Sequence, residues 1–162
     1  MINIIIAIVI VVVAVLFFIL GAYVIWKVAD DALKSQDKQT VRATAYYNVL
    51  NQWLKDINEG KDISDYFVRN GWKTVAIYGY AELGMRLYEC LKCSKKVSVS
   101  YIIDQNAQNV ASELNVYKPS KDLPNVDVIV ITPVHVYSIV DKMLKNMVSY
   151  KIVSLEDVIY DI

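Results

Sequence analysis

The chain has 162 residues, of which 56% are hydrophobic, and it carries 17 basic and 17 acidic residues. A chain of this length holds one small domain, or one domain with an anchor. The zero formal charge argues against a general nucleic-acid-binding protein, which would normally be basic. Two cysteines are too few for the disulfide-dense scaffold of a small secreted protein.

The apolar residues are concentrated at the N-terminus. From Ile2 to Trp26 the only polar side chain is that of Asn3, and no residue is charged. A helix of this length spans about 38 Å, which is enough to cross a hydrocarbon core of about 30 Å with some tilt. A cleaved signal peptide is the alternative, but it would carry positive charge before a shorter apolar run. We therefore expect residues 1–26 to form a transmembrane helix in contact with the lipid bilayer.

The basic residues around this segment predict its orientation. No basic residue precedes it, whereas Lys27, Lys34, Lys38 and Arg42 follow it. Positive residues next to a membrane span favour the cytoplasmic side. The sequence thus predicts a single-pass protein of the inner membrane, with its N-terminus outside and the rest of the chain in the cytoplasm.

Residues 27–71 connect the membrane segment to a globular domain. Residues 27–40 contain neither proline nor glycine and can extend the helix as a stalk. Between Val41 and Ile57 an apolar stripe follows at helical spacing: Val41, Ala45, Val49, Leu50, Trp53, Leu54 and Ile57. Glycines at positions 60 and 71 favour helix ends there, with a short second helix between them. The stripe either caps the following domain or forms the surface for a homodimer or another protein partner.

From residue 72 to 162 the pattern alternates between strands and helices. We predict strands at 73–78, 97–103, 116–117, 126–131 and 151–154, and helices at 81–93, 107–114, 136–147 and 155–160. This alternation is typical of a parallel sheet with right-handed crossovers. The predicted fold class is α/β: a small Rossmann-like parallel sheet flanked by helices and preceded by the transmembrane helix and the helical stalk.

The turn after the first strand is a candidate ligand site. Its sequence, Gly79-Tyr80-Ala81-Glu82-Leu83-Gly84, is the dinucleotide-binding pattern G-x-G-x-x-G with alanine at the second glycine. Gly79 would form the tight turn, Gly84 would bring the helix close to the sheet, and the helix N-terminus would attract an anion. Asp104 ends the second strand, where a carboxylate could accept hydrogen bonds from a ribose.

Two residues of the loop disfavour the binding of a phosphate group. The methyl group of Ala81 stands where a glycine lets the backbone approach a pyrophosphate, and Glu82 adds negative charge. The sequence therefore leaves two interpretations open. In one the loop binds a nucleotide or a nucleotide-sugar, and in the other the cleft is empty and its residues are purely structural.

Further candidates follow the fourth strand at the same edge of the sheet. Thr132 and Pro133 come first, and His135 is the single histidine of the chain. Histidine can act as a general acid or base near neutral pH, although a solvated or capping role is the alternative. Cys90 and Cys93 lie near the end of a predicted helix rather than at its start, so we interpret them as free thiols and predict no metal site.

Three segments carry a resemblance to a known group of domains: VAIYGYAELG at 75–84, YIID at 101–104 and VDVIVITP at 126–133. They resemble the small Rossmann domains of bacterial surface-polysaccharide and sugar-nucleotide proteins, such as the N-terminal domain of sugar acyltransferases and the nucleotide-binding half of sugar oxidoreductases. The resemblance implies that four residues face a bound nucleotide or nucleotide-sugar: Gly79, Ala81, Gly84 and Asp104. Tyr80 lies in the same loop, and Thr132 and Pro133 lie nearby.

Together these patterns predict a membrane-anchored cytoplasmic module that binds a nucleotide, with NAD(P) or a nucleotide-sugar as the expected ligand. The resemblance implies an accessory or regulatory role in bacterial envelope polysaccharide synthesis. One alternative is a minimal NAD(P)-dependent sugar oxidoreductase or epimerase that acts with a partner chain. The other is a scaffold whose cleft binds nothing.

Overall fold

The computed structural model describes residues 2–162. Met1, the first residue of the predicted membrane segment, lies outside the described residues, as do the side chains of Asn3, Ile5, Ala7 and Val9. The chain divides into two compact units, one that ends at Ala43 and one that comprises Thr44–Ile162.

The first helix, α1, runs from Ile2 to Asn58 without a break. Its described side chains in the apolar segment are open to the surroundings; Phe18 is 79% exposed and Ile25 is 72% exposed. Within residues 2–162 this is the one helix that is long and apolar enough to span a membrane. Residues 27–40 continue the helix, as the absence of proline and glycine predicted.

The apolar stripe of α1 is divided between two environments. Val49 is fully buried and Trp53 is 4% exposed, and both pack in the core with Phe67 of the second helix, α2 (Ser64–Arg69). Ala45 is half-buried, and the remaining stripe residues are exposed: Val41, Leu50, Leu54 and Ile57. One face of the predicted stripe therefore packs on the domain. Trp53 is buried within its own chain and is not available to a partner, whereas the exposed residues of the stripe leave the partner hypothesis a prediction.

Five parallel strands form the sheet of the second unit. They are β1 (Thr74–Tyr78), β2 (Ser98–Ile103), β3 (Val116–Tyr117), β4 (Val128–Ile131) and β5 (Lys151–Ser154). Their spatial order is β3-β2-β1-β4-β5, so the chain reverses its direction of travel across the sheet between β1 and β4. This is the strand order of a Rossmann sheet, and the predicted α/β fold class is confirmed.

Helices cover both faces of this sheet. They are α3 (Glu82–Ser94), α4 (Tyr137–Lys145) and α5 (Leu155–Tyr160). Because side chains alternate along a strand, Val75 and Ile77 of β1 join the core with α3 and α5, whereas Ala76 and Tyr78 join the core with α4. The last four residues of β1, Val75–Tyr78, are buried, as expected for a strand that is covered on both sides.

One predicted helix is absent. Residues 107–114 contain a single 3-10 turn, Ala107–Asn109, and irregular backbone up to β3. The apolar residues of this connection, Ala107, Val110 and Leu114, are only half-buried. They therefore offer too little packing to stabilise a short helix, whose first turn is unfavourable to form.

Several element boundaries also differ from the prediction by one or two residues. β4 begins at Val128 instead of Val126; just before it, the carboxylate of Asp127 accepts hydrogen bonds from the backbone N–H groups of Lys73 and Thr74, each at 2.8 Å. Residues 134–136 form a 3-10 turn, and α4 begins at Tyr137.

Candidate functional site

Gly79 forms the turn that ends β1. Its φ angle is +86°, in the left-handed region that side chains rarely adopt, and its N–H donates to the carbonyl of Ile103 at 2.8 Å. A Cβ atom at this position would lie 2.9 Å from two ring carbons of Pro133 and 3.2 Å from the hydroxyl of Thr132. Both the backbone angle and the space therefore require glycine, and the turn lies against the segment that follows β4.

Gly84 brings α3 into backbone contact with this turn. A Cβ atom on Gly84 would lie 2.1 Å from the carbonyl oxygen of Gly79, well inside van der Waals contact. Gly84 is itself buried in the first turn of the helix. The two glycines of the sequence pattern thus form one close contact between the loop and the helix.

Thr132 fixes the loop from the side of β4. Its side chain is buried, and its hydroxyl is 2.7 Å from the carbonyl oxygen of Gly79 and 3.1 Å from that of Tyr78. Its backbone N–H donates to the same Tyr78 carbonyl at 3.0 Å. The hydroxyl proton is thereby committed to the loop backbone, so Thr132 positions the loop.

Asp104 holds the loop from the side of β2. One carboxylate oxygen accepts a hydrogen bond from the N–H of Tyr80 at 3.0 Å, and the other accepts from the N–H of Asn106 at 2.8 Å. An ionised carboxylate has about four acceptor positions, so each oxygen retains capacity for one more donor. The half-buried Asp104 therefore both anchors the loop and remains chemically suited to a ribose hydroxyl.

Ala81 and Glu82 begin the helix and are exposed. Ala81 is the N-cap, with extended backbone (φ −87°, ψ −159°) and no side-chain hydrogen bond to the helix. The first N–H groups of any α-helix have no acceptor inside the helix, and they carry the positive end of its dipole. The start of α3 therefore offers donors for an anion, next to the methyl group of Ala81 and the carboxylate of Glu82.

Tyr80 belongs to the loop, but its side chain packs elsewhere. Its ring meets that of Tyr88 edge to face at 6.2 Å. Burial raises the pKa of the Tyr80 hydroxyl, so it stays protonated at neutral pH. The contribution of Tyr80 to the loop is its backbone N–H, which is already bonded to Asp104.

His135 lies two residues beyond Pro133 on the 3-10 turn Val134–Val136. Its imidazole packs against the ring of Tyr46 at 5.6 Å with the rings nearly perpendicular. His135 is thus engaged with α1, which gives it a packing role in addition to any chemistry at the edge of the sheet.

Cys90 and Cys93 are free thiols near the end of α3. Burial raises the pKa of the Cys90 thiol, which disfavours the reactive thiolate form. Among residues 2–162, no three His, Cys, Asp or Glu side chains are grouped closely enough to hold a metal ion.

A cavity that the sequence did not predict lies at the opposite edge of the sheet. It has a volume of about 550 Å³ and is lined by the starts of β1 and β2 and the end of α3, including Lys73, Lys92, Lys95 and Lys96. Two of these ammonium groups are paired, Lys92 with Glu113 and Lys96 with Asp62 and Asp65. Charge in this region is therefore largely balanced within the chain.

Comparison with known proteins gives one similar structure to report. The crystal structure of UDP-D-quinovosamine 4-dehydrogenase from Vibrio fischeri matches with a TM-score of 0.40 and 20% identity over 56% of this chain and 85% of that chain. No family model and no curated protein sequence matches this chain. A likeness of this size carries no functional argument, so the fold assignment depends on the strand order and the site on the geometry of the loop.

Proposed function

We propose that this chain is a membrane-anchored module that binds a nucleotide or nucleotide-sugar at the loop Gly79–Gly84. In the proposal residues 1–26 are the anchor, residues 27–71 the stalk and cap, and residues 72–162 the ligand-binding domain in the cytoplasm. The resemblance to sugar-nucleotide proteins favours an accessory role in bacterial envelope polysaccharide synthesis, with NAD(P) as the other ligand to test.

The observation that carries the proposal is the backbone contact between Gly79 and Gly84. It brings the N-terminus of α3 to the carboxyl edge of β1, next to the reversal of strand order between β1 and β4. In open α/β sheets ligands bind at this place, with the pyrophosphate at the helix N-terminus. Asp104 stands at the end of the neighbouring strand β2 with acceptor capacity left for a ribose.

Ala81 and Glu82 give the proposal a distinctive consequence. Both are exposed at the start of α3, and both act against a phosphate, one by its volume and the other by its charge. We therefore expect weak binding by the wild-type chain. Ala81→Gly removes the methyl group and Glu82→Gln removes the charge, so each substitution is expected to tighten binding.

The test is a thermal-shift titration of the full chain in nanodiscs of neutral lipid. The ligands are NAD(H), NADP(H), UDP-sugars and coenzyme A, and a ligand at 100 times its Kd raises the free energy of unfolding by about 2.7 kcal/mol. Ala111→Gly is the matched control, because this alanine is also exposed but lies in the connection between β2 and β3. Absence of any shift at millimolar ligand, in both the wild type and Ala81→Gly, would contradict the proposal.

The membrane anchor has its own test. We expect the full chain to remain in the membrane fraction after carbonate extraction, because the apolar side chains of α1 have no protein partner up to Trp26 among the described residues. We also expect externally added protease to digest residues 44–162 in inverted inner-membrane vesicles. Protection of these residues in intact inverted vesicles would reverse the proposed orientation.

A further inference from the structure

The C-terminal part of α1 presents a second apolar face that the chain does not cover. Four residues form it, and we refer to them as the seam: Tyr47, Leu50, Leu54 and Ile57. Their side chains are 68%, 36%, 58% and 51% exposed, respectively. The same helix buries Val49 and Trp53 in the core of its own domain. At 3.6 residues per turn the seam is centred about 100° around the helix from this buried face, so most of its surface remains open to a partner.

The spacing of the seam is that of a helix-pairing surface. Its members are three, four and three residues apart, which is the a/d repeat of two heptads. Such a repeat keeps one stripe facing a partner helix over several turns. A helix that only caps a domain needs a single stripe, which Val49 and Trp53 already provide. The second stripe therefore indicates a helical partner, because a contiguous exposed apolar surface marks an interaction site.

The charges of the helix favour a second copy of this chain as that partner. In a parallel pair of identical helices each seam residue faces itself, and the e and g positions beside the seam face like residues. Those positions hold Tyr46, Asn51, Trp53 and Asn58, none of which is charged. Between Thr44 and Asn58 the charged residues are Lys55 and Asp56, which fall at the b and c positions, away from the seam, and Asp56 is buried in its own domain. Self-pairing in register thus brings no like charges together at the seam.

We infer that the seam pairs with the seam of a second copy in a parallel, in-register homodimer. Two heptads form a short interface, but two copies held in one bilayer meet at a high effective concentration. Co-insertion also gives both copies the same orientation, which a parallel pair requires. The parallel orientation rests on the proposed membrane anchor, whereas nucleotide binding has no part in the inference.

The first test compares one charge at two positions of the same helix surface. Leu54→Asp places two carboxylates opposite each other in the dimer, whereas Asn48→Asp places the same charge at an exposed b position. The full chain is reconstituted in nanodiscs that are large enough for two copies, and subunits are counted by single-molecule photobleaching. We expect the wild type and Asn48→Asp to be mostly dimeric and Leu54→Asp mostly monomeric. A monomeric wild type, or a dimeric Leu54→Asp, would overturn the inference.

The second test fixes the orientation and controls for folding. A cysteine introduced as Leu54→Cys faces its counterpart only in a parallel, in-register pair, so mild oxidation is expected to give a covalent dimer. Asn48→Cys is expected to give none, and the wild type reports any cross-linking through Cys90 and Cys93. Equal cross-linking at positions 48 and 54, or none at 54, would contradict the pairing. Leu54→Asp and Leu54→Lys chains mixed in one nanodisc preparation are expected to pair again, which shows that each has folded.

Discussion

Gly84→Ala tests the contact on which the geometry of the loop depends. The added methyl group would lie 2.1 Å from the carbonyl oxygen and 3.1 Å from the carbonyl carbon of Gly79. Ordinary van der Waals contact is about 3.5 Å, so the overlap is more than an ångström. The opposing atoms are backbone atoms, and the hydroxyl of Thr132 holds the same carbonyl at 2.7 Å. The contact can relax only if α3 or the loop shifts.

The magnitude follows from two opposing terms. Overpacking of a filled site costs about 1–3 kcal/mol, and a clash with a held backbone atom belongs at the upper end. Alanine in a helix interior gains up to about 1 kcal/mol over glycine. The net loss in the free energy of unfolding is therefore about 2 kcal/mol. For a unit the size of Thr44–Ile162 this corresponds to a fall of about 8 °C in the unfolding midpoint.

The assay is thermal unfolding of the full chain in nanodiscs, followed by the fluorescence of the buried Trp53 and the half-buried Trp72. Gly60→Ala is the matched control. Gly60 has a φ angle of +78° and open space around it, so its substitution introduces backbone strain of about 1–2 kcal/mol without a clash. We expect Gly84→Ala also to abolish any ligand-induced shift, whereas Gly60→Ala should leave that shift intact. An unchanged or raised midpoint for Gly84→Ala would refute the reasoning from the contact.

Three further substitutions probe the polar contacts of the domain. Thr132→Val removes the hydroxyl that donates to the buried loop carbonyls, and we expect a loss of about 1–3 kcal/mol in the free energy of unfolding, measured by urea denaturation. Backbone hydrogen bonds from Lys73 and Thr74 hold the pKa of the Asp127 carboxyl below its ordinary value. The native chain therefore takes up this proton less readily than the unfolded chain, and the resulting stability is present above about pH 4 and lost as the pH falls through the lowered native pKa. The stability gap between the wild type and Asp127→Asn should narrow over that range, and a gap that widens with acid would contradict this. Lys61→Met removes the ammonium group 2.8 Å from the buried carboxylate of Asp56, and we expect a lower urea denaturation midpoint at pH 7, because a buried charge loses its partner.

The strands were predictable because each of the central ones is buried on both faces. A run such as that of β1 is continuously apolar, and its limits were placed within one residue. The irregular structure of residues 107–114 was not predictable, because the apolar residues there follow a helical spacing but have no surface to pack on. A local sequence pattern shows how apolar residues are spaced, but whether they are buried depends on distant elements that pack around the segment.

For the same reason, the local sequence pattern could not predict that one side of α1 packs on the domain while another stays exposed. Val49 and Leu50 are neighbours in one predicted stripe, yet one is fully buried and the other is exposed. The stripe is wider than a single contact face, and only the position of the sheet decides which edge of it is covered. The sequence pattern therefore indicated that the helix packs, without indicating which side chains remain for a partner.

The glycine loop was placed correctly by its pattern, because a φ angle of +86° and a missing Cβ leave a direct mark on the residue type. The same contacts limit what most substitutions can reveal. Gly79, Gly84, Thr132 and Asp104 each contact the loop backbone, so their replacement alters the loop whether or not a ligand binds there. Ala81 differs, since its methyl group is exposed and its extended backbone is open to glycine. In a purely structural loop, Ala81→Gly only raises the conformational entropy of the unfolded chain, which slightly lowers the stability of the fold. In a phosphate-binding loop, the same substitution also makes room for the phosphate at the helix N-terminus. Tighter binding after this one substitution would therefore identify a ligand site in a way that loss of binding after the others cannot.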